Sequence, residues 1–280
     1  MKSVITIYEK ISILSLDVVA GAVCCSAMFA RQMHIKIFWY QYFVLGCSVW
    51  LIYTIDHLLD AVRNPTLISP RHRFHKKYQK TLCILSVLVC VITTWLAFTK
   101  LPIAVIWFGM ALGASMLVYL ALTHFFSFSF FFKEGWVAFL YTLGVWGSVA
   151  VQTLHIQQTH LFAGCIFGMI ILQQAMLLAW YESEEDTQQE MLSLMQRQNA
   201  AHLHLFLKAL IILALGATIG CLLLLNNTSL DQKVWLTLLI MASLLSVITF
   251  FSGLFREAYS YRFLSDGILL LPVWMIMDTF

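Results

Sequence analysis

Two pairs of carboxylates stand at matching positions, each at the end of a long apolar stretch. Asp56 and Asp60 are four residues apart, and Glu182 and Asp186 repeat that spacing. On a helix, side chains four residues apart lie on one face, one turn above each other. The C-terminal end of a helix already disfavours negative charge, and two neighbouring carboxylates repel each other. A bound divalent cation would relieve both costs, so each pair is a candidate cation site.

Magnesium suits such pairs because it binds a few carboxylates together with substrate phosphate oxygens and water. Two acidic clusters that face each other would hold ions that neutralise a diphosphate and make it a leaving group. We therefore predict that Asp56, Asp60, Glu182 and Asp186 are metal ligands and carry the catalysis. Further acidic candidates are Glu185 and Glu190, the latter four residues beyond Asp186. Basic residues that could contact the outer phosphate oxygens are Arg63, Arg71, Arg73 and Lys133.

The composition places these residues in a membrane protein. Only 11% of the 280 residues are charged, against about 25% in soluble domains, and the mean hydropathy is +0.83. One span needs roughly 20 apolar residues. Apolar runs cover about 11–30, 38–61, 81–99, 102–124, 135–153, 160–181, 203–225, 234–255 and 263–277. We predict an all-α polytopic membrane protein, a bundle of about nine transmembrane helices forming a single domain over residues 1–280.

The positive charges predict the orientation. With a cytoplasmic N-terminus, 13 of the 17 Lys and Arg residues lie in inner segments and 4 in outer ones. Cytoplasmic loops carry the excess of such residues, so the N-terminus is predicted inside. Both acidic pairs then face the cytoplasm. The expected location is the bacterial cytoplasmic membrane, among membrane lipids, and the lack of a basic soluble face argues against nucleic acid as a partner.

The placement of the acidic pairs resembles the UbiA superfamily of intramembrane prenyltransferases. That family has nine transmembrane helices, with an NDxxDxxxD motif ending the second helix and a DxxxD motif ending the sixth. Asp56 and Asp60 match the last two aspartates of the first motif, and Glu182 and Asp186 match the second motif. The leading Asn-Asp falls on Ile52 and Tyr53, so this chain departs from the pattern there.

The resemblance implies Mg²⁺-dependent transfer of a prenyl group from a prenyl diphosphate to a lipophilic or aromatic acceptor. It implies that Mg²⁺ binds at the two acidic motifs, and that Lys133 corresponds to a loop lysine that contacts diphosphate. It also implies that the allylic diphosphate ionises toward a carbocation. Aromatic side chains such as Tyr53 would shelter that cation.

Two other functions stay open. A non-catalytic protein of the same fold could bind a lipid or a partner, and the missing Asn-Asp favours that alternative. An ion-coupled transporter would use Asp17 and Asp266, because ionisable residues inside spans are functional candidates. His57 is expected to face away from the two acids that flank it. The basic loop around residues 71–77 is expected to contact either anionic lipid or diphosphate.

Overall fold

The computed structural model describes residues 11–63, 70–124, 133–188, 200–225, 228–255 and 260–277, and this part of the chain is helical, without a strand. The helices are α1 (Leu16–Gln32), α2 (Trp39–Arg63), α3 (Pro70–Lys77), α4 (Gln79–Lys100), α5 (Ile103–His124), α6 (Lys133–Thr142), α7 (Gln158–Gln188), α8 (Ala200–Leu224), α9 (Ser229–Phe250), α10 (Ser252–Phe255), α11 (Ser260–Ile268) and α12 (Val273–Met277). A π-helical turn, Leu143–Gly147, and the short turn Ser148–Ala150 extend α6.

Six of these helices are long and apolar enough to cross a membrane: α2, α4, α5, α7, α8 and α9. Backbone groups in lipid have no water to bond with, so an apolar segment must satisfy them within its own helix. The predicted all-α class is confirmed, and the six apolar helices support the predicted membrane location.

The core lies where α1, α7 and α9 meet the extended α6. Its fully buried side chains include Phe29 of α1, Phe167 of α7 and Trp235 of α9. The rings of Phe29 and Phe167 meet edge to face with centroids 5.2 Å apart. Helix α2 packs on α1, α4 packs on α2, and α8 packs on α7 and α9. The central helices are therefore enclosed by others, and the outer ones present large apolar side chains to the surroundings.

The outer helices differ sharply from the central ones in burial. The most apolar stretches of α7 and α9 are each 56% buried, whereas that of α5 is only 11% buried. Trp107 and Leu117 of α5 are both about two-thirds exposed. A helix that is apolar on all sides yet scarcely buried is typical of a lipid-facing span.

Glycines allow the extended α6 to approach its neighbours closely. A Cβ atom on Gly164 of α7 would lie 2.6 Å from the Trp146 ring, and one on Gly147 would lie 2.6 Å from the Phe108 ring. Trp146 also donates its indole N–H to the carbonyl of His160 on α7, at 3.1 Å. Small residues at such contacts allow close packing, which drives helix association in lipid.

The C-terminal segment, predicted as one apolar run at 263–277, is broken into two helices. Turns at residues 269–272, ending in Pro272, separate α11 from α12. The thiol of Cys25 on α1 donates to the carbonyl of Leu269, with Sγ and O 3.4 Å apart. Gly21 leaves room for the Leu269 side chain. Helix α1 therefore holds the break in place.

Two predicted boundaries need correction. The stretch predicted as a loop after the second span contains helix α3, whose first residue, Pro70, has a fixed φ suited to a helix start. The sixth apolar run was predicted to end near residue 181, but α7 continues to Gln188. A helix can continue with polar side chains beyond its apolar part, so the apolar pattern ends before the helix does.

The packing at Gly164 predicts the effect of a single methyl group. Gly164→Ala should lower the free energy of unfolding by about 1–3 kcal/mol, because the rigid Trp146 ring must move. Denaturation by SDS in mixed micelles measures this change. The matched control is Gly216→Ala on α8, where a Cβ would meet nothing within 4 Å. That variant should be unchanged or slightly more stable, because alanine is the better helix former. Equal effects of both substitutions would contradict the close contact.

Candidate functional site

Three metal-ligating side chains come together near the end of α2. Asp56, His57 and Asp60 each offer one ligand atom, and these atoms all lie within 4.8 Å of one another. The two carboxylates are half-buried and the imidazole is buried. The expectation that His57 faces away from the acids is wrong. His57 and Asp60 are three residues apart, a spacing that also brings side chains together on one helical face.

Helix α3 covers one side of this group. Its His75 is almost completely buried, with 1% of its surface exposed. The ring centroids of His75 and His57 are 5.1 Å apart, in an edge-to-face arrangement. On α2 itself, the Tyr53 ring lies 6.3 Å from that of His57. Two histidines and a tyrosine therefore adjoin the carboxylates, and the sequence pattern gave no sign that His75 would be among them.

Charged residues from α6 approach the same group from another side. Tyr119 of α5 is buried and interacts electrostatically with Lys133, Asp56, Glu134 and Asp60. Lys133 and Glu134 begin α6, and Glu134 is only 7% exposed. Lys133 and the Asp56–Asp60 pair, all predicted as site residues, thus lie within electrostatic range of one phenol. Tyr119 and Glu134 were missed. Glu134 could have been found as an acid beside a candidate lysine at a helix start, whereas nothing in the pattern marks Tyr119.

The remaining predicted basic residues lie elsewhere or outside the described part. The side chain of Arg73 on α3 is exposed. The side chains of Arg63 and Arg71 lie outside the described residues. Among the predicted diphosphate contacts, Lys133 lies within electrostatic range of Tyr119.

The second acidic cluster falls at the end of α7. The side chains of Glu182, Glu185 and Asp186 lie outside the described residues, and so does Glu190 altogether. The helix just before them is firmly anchored. The hydroxyl of Tyr181 donates to the carbonyl of Ile248 on α9 at 3.1 Å, and its ring stacks on that of Tyr261 at 4.2 Å. This anchor holds the last turns of α7 against α9 and α11.

Aromatic side chains lie between α2 and α7. Tyr53 of α2 packs against the main core and interacts electrostatically with Tyr141 of α6. The ring of Tyr141 is 6.4 Å from that of Phe167 on α7, and its hydroxyl donates to the carbonyl of Val18 at 3.4 Å. The space between the two acid-bearing helices is thus apolar and aromatic, with a few tethered polar groups.

The two intramembrane acids considered for a transporter both accept hydrogen bonds. Asp17 is buried in the first turn of α1, and its Oδ1 accepts the Val18 N–H at 2.9 Å. Asp266 is buried on α11, and its Oδ1 accepts from Nε2 of Gln174 on α7 at 3.0 Å. The same nitrogen donates to the carbonyl of Ser265 at 3.1 Å. Asp266 therefore helps to join α11 to α7.

The donors at the end of α2 fit a divalent cation. Ligands on opposite sides of Mg²⁺ stand about 4.2 Å apart, close to the separation of at most 4.8 Å found here. Carboxylates suit Mg²⁺ and Mn²⁺, whereas an imidazole favours Mn²⁺ or other transition metals over Mg²⁺. Asp56 and Asp60 would hold either ion, and His57 shifts the preference of the group toward the softer one.

In comparisons with known proteins, the chain matches no protein-family model, no curated protein and no solved structure at a significant level of similarity.

The donor set predicts which cations stabilise the protein. Mn²⁺ should raise the melting temperature of the detergent-solubilised protein more than Mg²⁺, because the imidazole of His57 is a poor Mg²⁺ ligand. Asp56→Asn and Asp60→Asn should each strongly reduce the response to both ions, and melting in EDTA checks that the variants fold. His57→Gln should remove only the preference for Mn²⁺.

The matched control is His155→Gln, which changes an exposed histidine outside the group. It should respond to both ions as the wild type does. A wild-type protein that responds to neither ion would refute the cation site.

Proposed function

We propose that this chain is a membrane-embedded prenyltransferase that uses a divalent cation, Mg²⁺ or Mn²⁺, to bind a prenyl diphosphate and transfer its prenyl group to a lipophilic or aromatic acceptor. The observation that carries the proposal is the grouping of Asp56, His57 and Asp60 within 4.8 Å, with Lys133 in electrostatic range of the same Tyr119 as the two carboxylates. A diphosphate needs both a cation and a basic side chain, and this group lies at the end of an apolar helix beside an aromatic interior.

The proposal includes nine membrane crossings with a cytoplasmic N-terminus. Three apolar helical runs support it beyond the six long helices: α1, residues 133–150 and residues 260–277. The excess of Lys and Arg in the resulting inner segments supports the orientation. In this arrangement α2 and α7 end on the cytoplasmic side of a bacterial membrane, and the site opens there.

In the proposed complex, each residue has a distinct task. Asp56 and Asp60 hold the cation, with His57 as a further ligand, and the pair Glu182–Asp186 holds a second cation from α7. A divalent cation bound there supplies positive charge that stabilises the leaving diphosphate. The ammonium of Lys133 donates to a non-bridging phosphate oxygen. The apolar walls exclude water, which would otherwise capture the reactive carbon.

Transfer in this proposal breaks the allylic C–O bond, and its electron pair leaves with the diphosphate. The positive charge that develops on the allylic carbon faces aromatic rings such as Tyr53, Tyr141 and Phe167, whose π-electrons attract cations. A nucleophilic atom of the acceptor then forms the new bond and releases one proton. The prenyl chain occupies the apolar interior between α2 and α7.

One observation favours binding without transfer as the second candidate. Tyr53 occupies a position where the resembled family has an aspartate, and a phenol is a much weaker Mg²⁺ ligand than a carboxylate. A protein of this fold that has lost turnover would still bind a prenyl diphosphate through Asp56, Asp60 and Lys133. Binding and turnover must therefore be measured separately.

Radiolabelled geranylgeranyl diphosphate tests both activities on the purified chain. We expect binding that requires Mg²⁺ or Mn²⁺ and disappears in EDTA, together with slow release of diphosphate when a lipophilic acceptor is supplied. Asp56→Asn and Asp186→Asn should each slow the release by at least about a hundredfold, because a proposed cation ligand is lost. Binding without release by the wild type would favour the second candidate. No binding under either condition would refute both.

Lys133 gives a sharper prediction. Lys133→Met should weaken prenyl diphosphate binding by about ten- to a hundredfold, the equivalent of one lost charged hydrogen bond. The cation-dependent rise in melting temperature should persist, because Asp56 and Asp60 are intact. Equilibrium binding and thermal melting measure the two effects. Lys100→Met is the matched control, since this exposed lysine ends α4, far along that helix from α3. Equal losses of prenyl diphosphate binding in both variants would show that Lys133 does not contact the diphosphate.

A further inference from the structure

Helix α3 and the start of α4 carry an exposed cluster of positive charge, which we call the basic surface. It consists of Arg73, Lys76 and Lys77 of α3 and Lys80 of α4, all exposed. Residues 70–80 contain no acidic side chain. The proposed transfer reaction makes no use of these four residues.

The opposite side of α3 is fixed to the bundle. His75 is buried against His57 of α2, with ring centroids 5.1 Å apart. Phe74 is half-buried, and its ring is 4.8 Å from that of Tyr78. Arg73 and Lys77 are each two residues from His75, which is roughly 200° around a helix. The buried face therefore fixes which way the charges point, away from α2.

The neighbours of α3 place the basic surface at a membrane boundary. Helix α2 before it and helix α4 after it are both long and apolar enough to span, and they pack together as a hairpin. The short helix that joins them lies where the chain leaves the lipid. Tyr78 is partly exposed there, with Lys77 Nζ 5.2 Å from its ring centroid. Aromatic and basic side chains together are typical of the headgroup region.

We propose that the basic surface binds the headgroups of anionic phospholipids. Four exposed cations in a stretch of sequence that holds no acidic residue are complementary to a layer of phosphate groups, and polybasic clusters next to a span bind anionic lipids in this way. The apolar flanks of α2 and α4 would contact the acyl chains, so the ligand is a lipid and not free phosphate. This proposal is independent of the proposed transfer reaction because it needs no divalent cation and no prenyl diphosphate.

The test uses the full chain in nanodiscs, in EDTA. Spin-labelled phosphatidylglycerol and phosphatidylcholine are compared by the fraction of each that the protein immobilises. The wild type should retain phosphatidylglycerol several-fold more strongly, and salt at about 0.5 M should weaken this preference because it screens exposed charges. Lys76→Glu/Lys77→Glu should abolish the preference, which is a several-fold loss, because it replaces two attractive charges with repulsive ones. The neutral variant Lys76→Gln/Lys77→Gln should show a preference for phosphatidylglycerol between that of the wild type and that of the charge-reversed variant.

The matched control reverses two exposed lysines elsewhere, Lys36→Glu/Lys100→Glu. It should keep the preference for phosphatidylglycerol. Equal preferences in the two reversed variants, or no preference in the wild type, would overturn the proposal. Displacement of the lipid by millimolar inorganic phosphate would assign the surface to a free anion and would also overturn it. Prenyl diphosphate binding is measured separately with Mg²⁺ and depends on Asp56 and Lys133. Failure of the lipid-binding proposal can therefore be distinguished from failure of the proposed transfer reaction.

Discussion

The structure depends on one constraint: in lipid, a polar backbone group has no partner except the chain itself. Burial of apolar surface gives little reason for two helices to associate there, so contacts must come from close fit and hydrogen bonds. The fit is visible where Gly164 meets Trp146 and Gly147 meets Phe108. Helices α7 and α9 are enclosed, whereas α5 contacts the bundle over only a small part of its surface.

The same constraint decides where polar side chains lie. Inside the bundle they join helices in pairs. Gln174 of α7 donates to Asp266 of α11, and Gln32 of α1 donates to Asp231 of α9 at 2.9 Å. Asp231 also completes the capping box that begins α9, with Thr228 as the capping residue. These acids therefore act as attachment points. The acids at the end of α2 differ, because an imidazole lies beside them and a lysine and a phenol lie within electrostatic range.

The helical class and the Asp56–Asp60 pair could be predicted because each rests on local information. The low share of charged residues indicates that lipid surrounds the helices. A spacing of four residues places two side chains on one face of a helix. His57 was expected to face away from both acids that flank it, although its spacing of three to Asp60 is one that brings side chains together on a helical face. His75 and Tyr119 could not be predicted, because their places depend on how α3 and α5 pack against α2. Helix α3 could not be predicted from a pattern of apolar residues, because most of its residues are basic.

The charges of Asp56, His57 and Asp60 affect how tightly the proposed site would hold a cation. An uncharged imidazole attracts a divalent cation less strongly than a third carboxylate would, and Tyr53 adds no ligand charge where the resembled family has an acid. The nearby ammonium of Lys133 lowers the attraction further. A cation held by Asp56, His57 and Asp60 alone would therefore be bound less tightly than one held by three carboxylates. A diphosphate would contribute both the missing oxygen ligands and the missing negative charge. Cation and substrate would then bind cooperatively, each completing the site for the other.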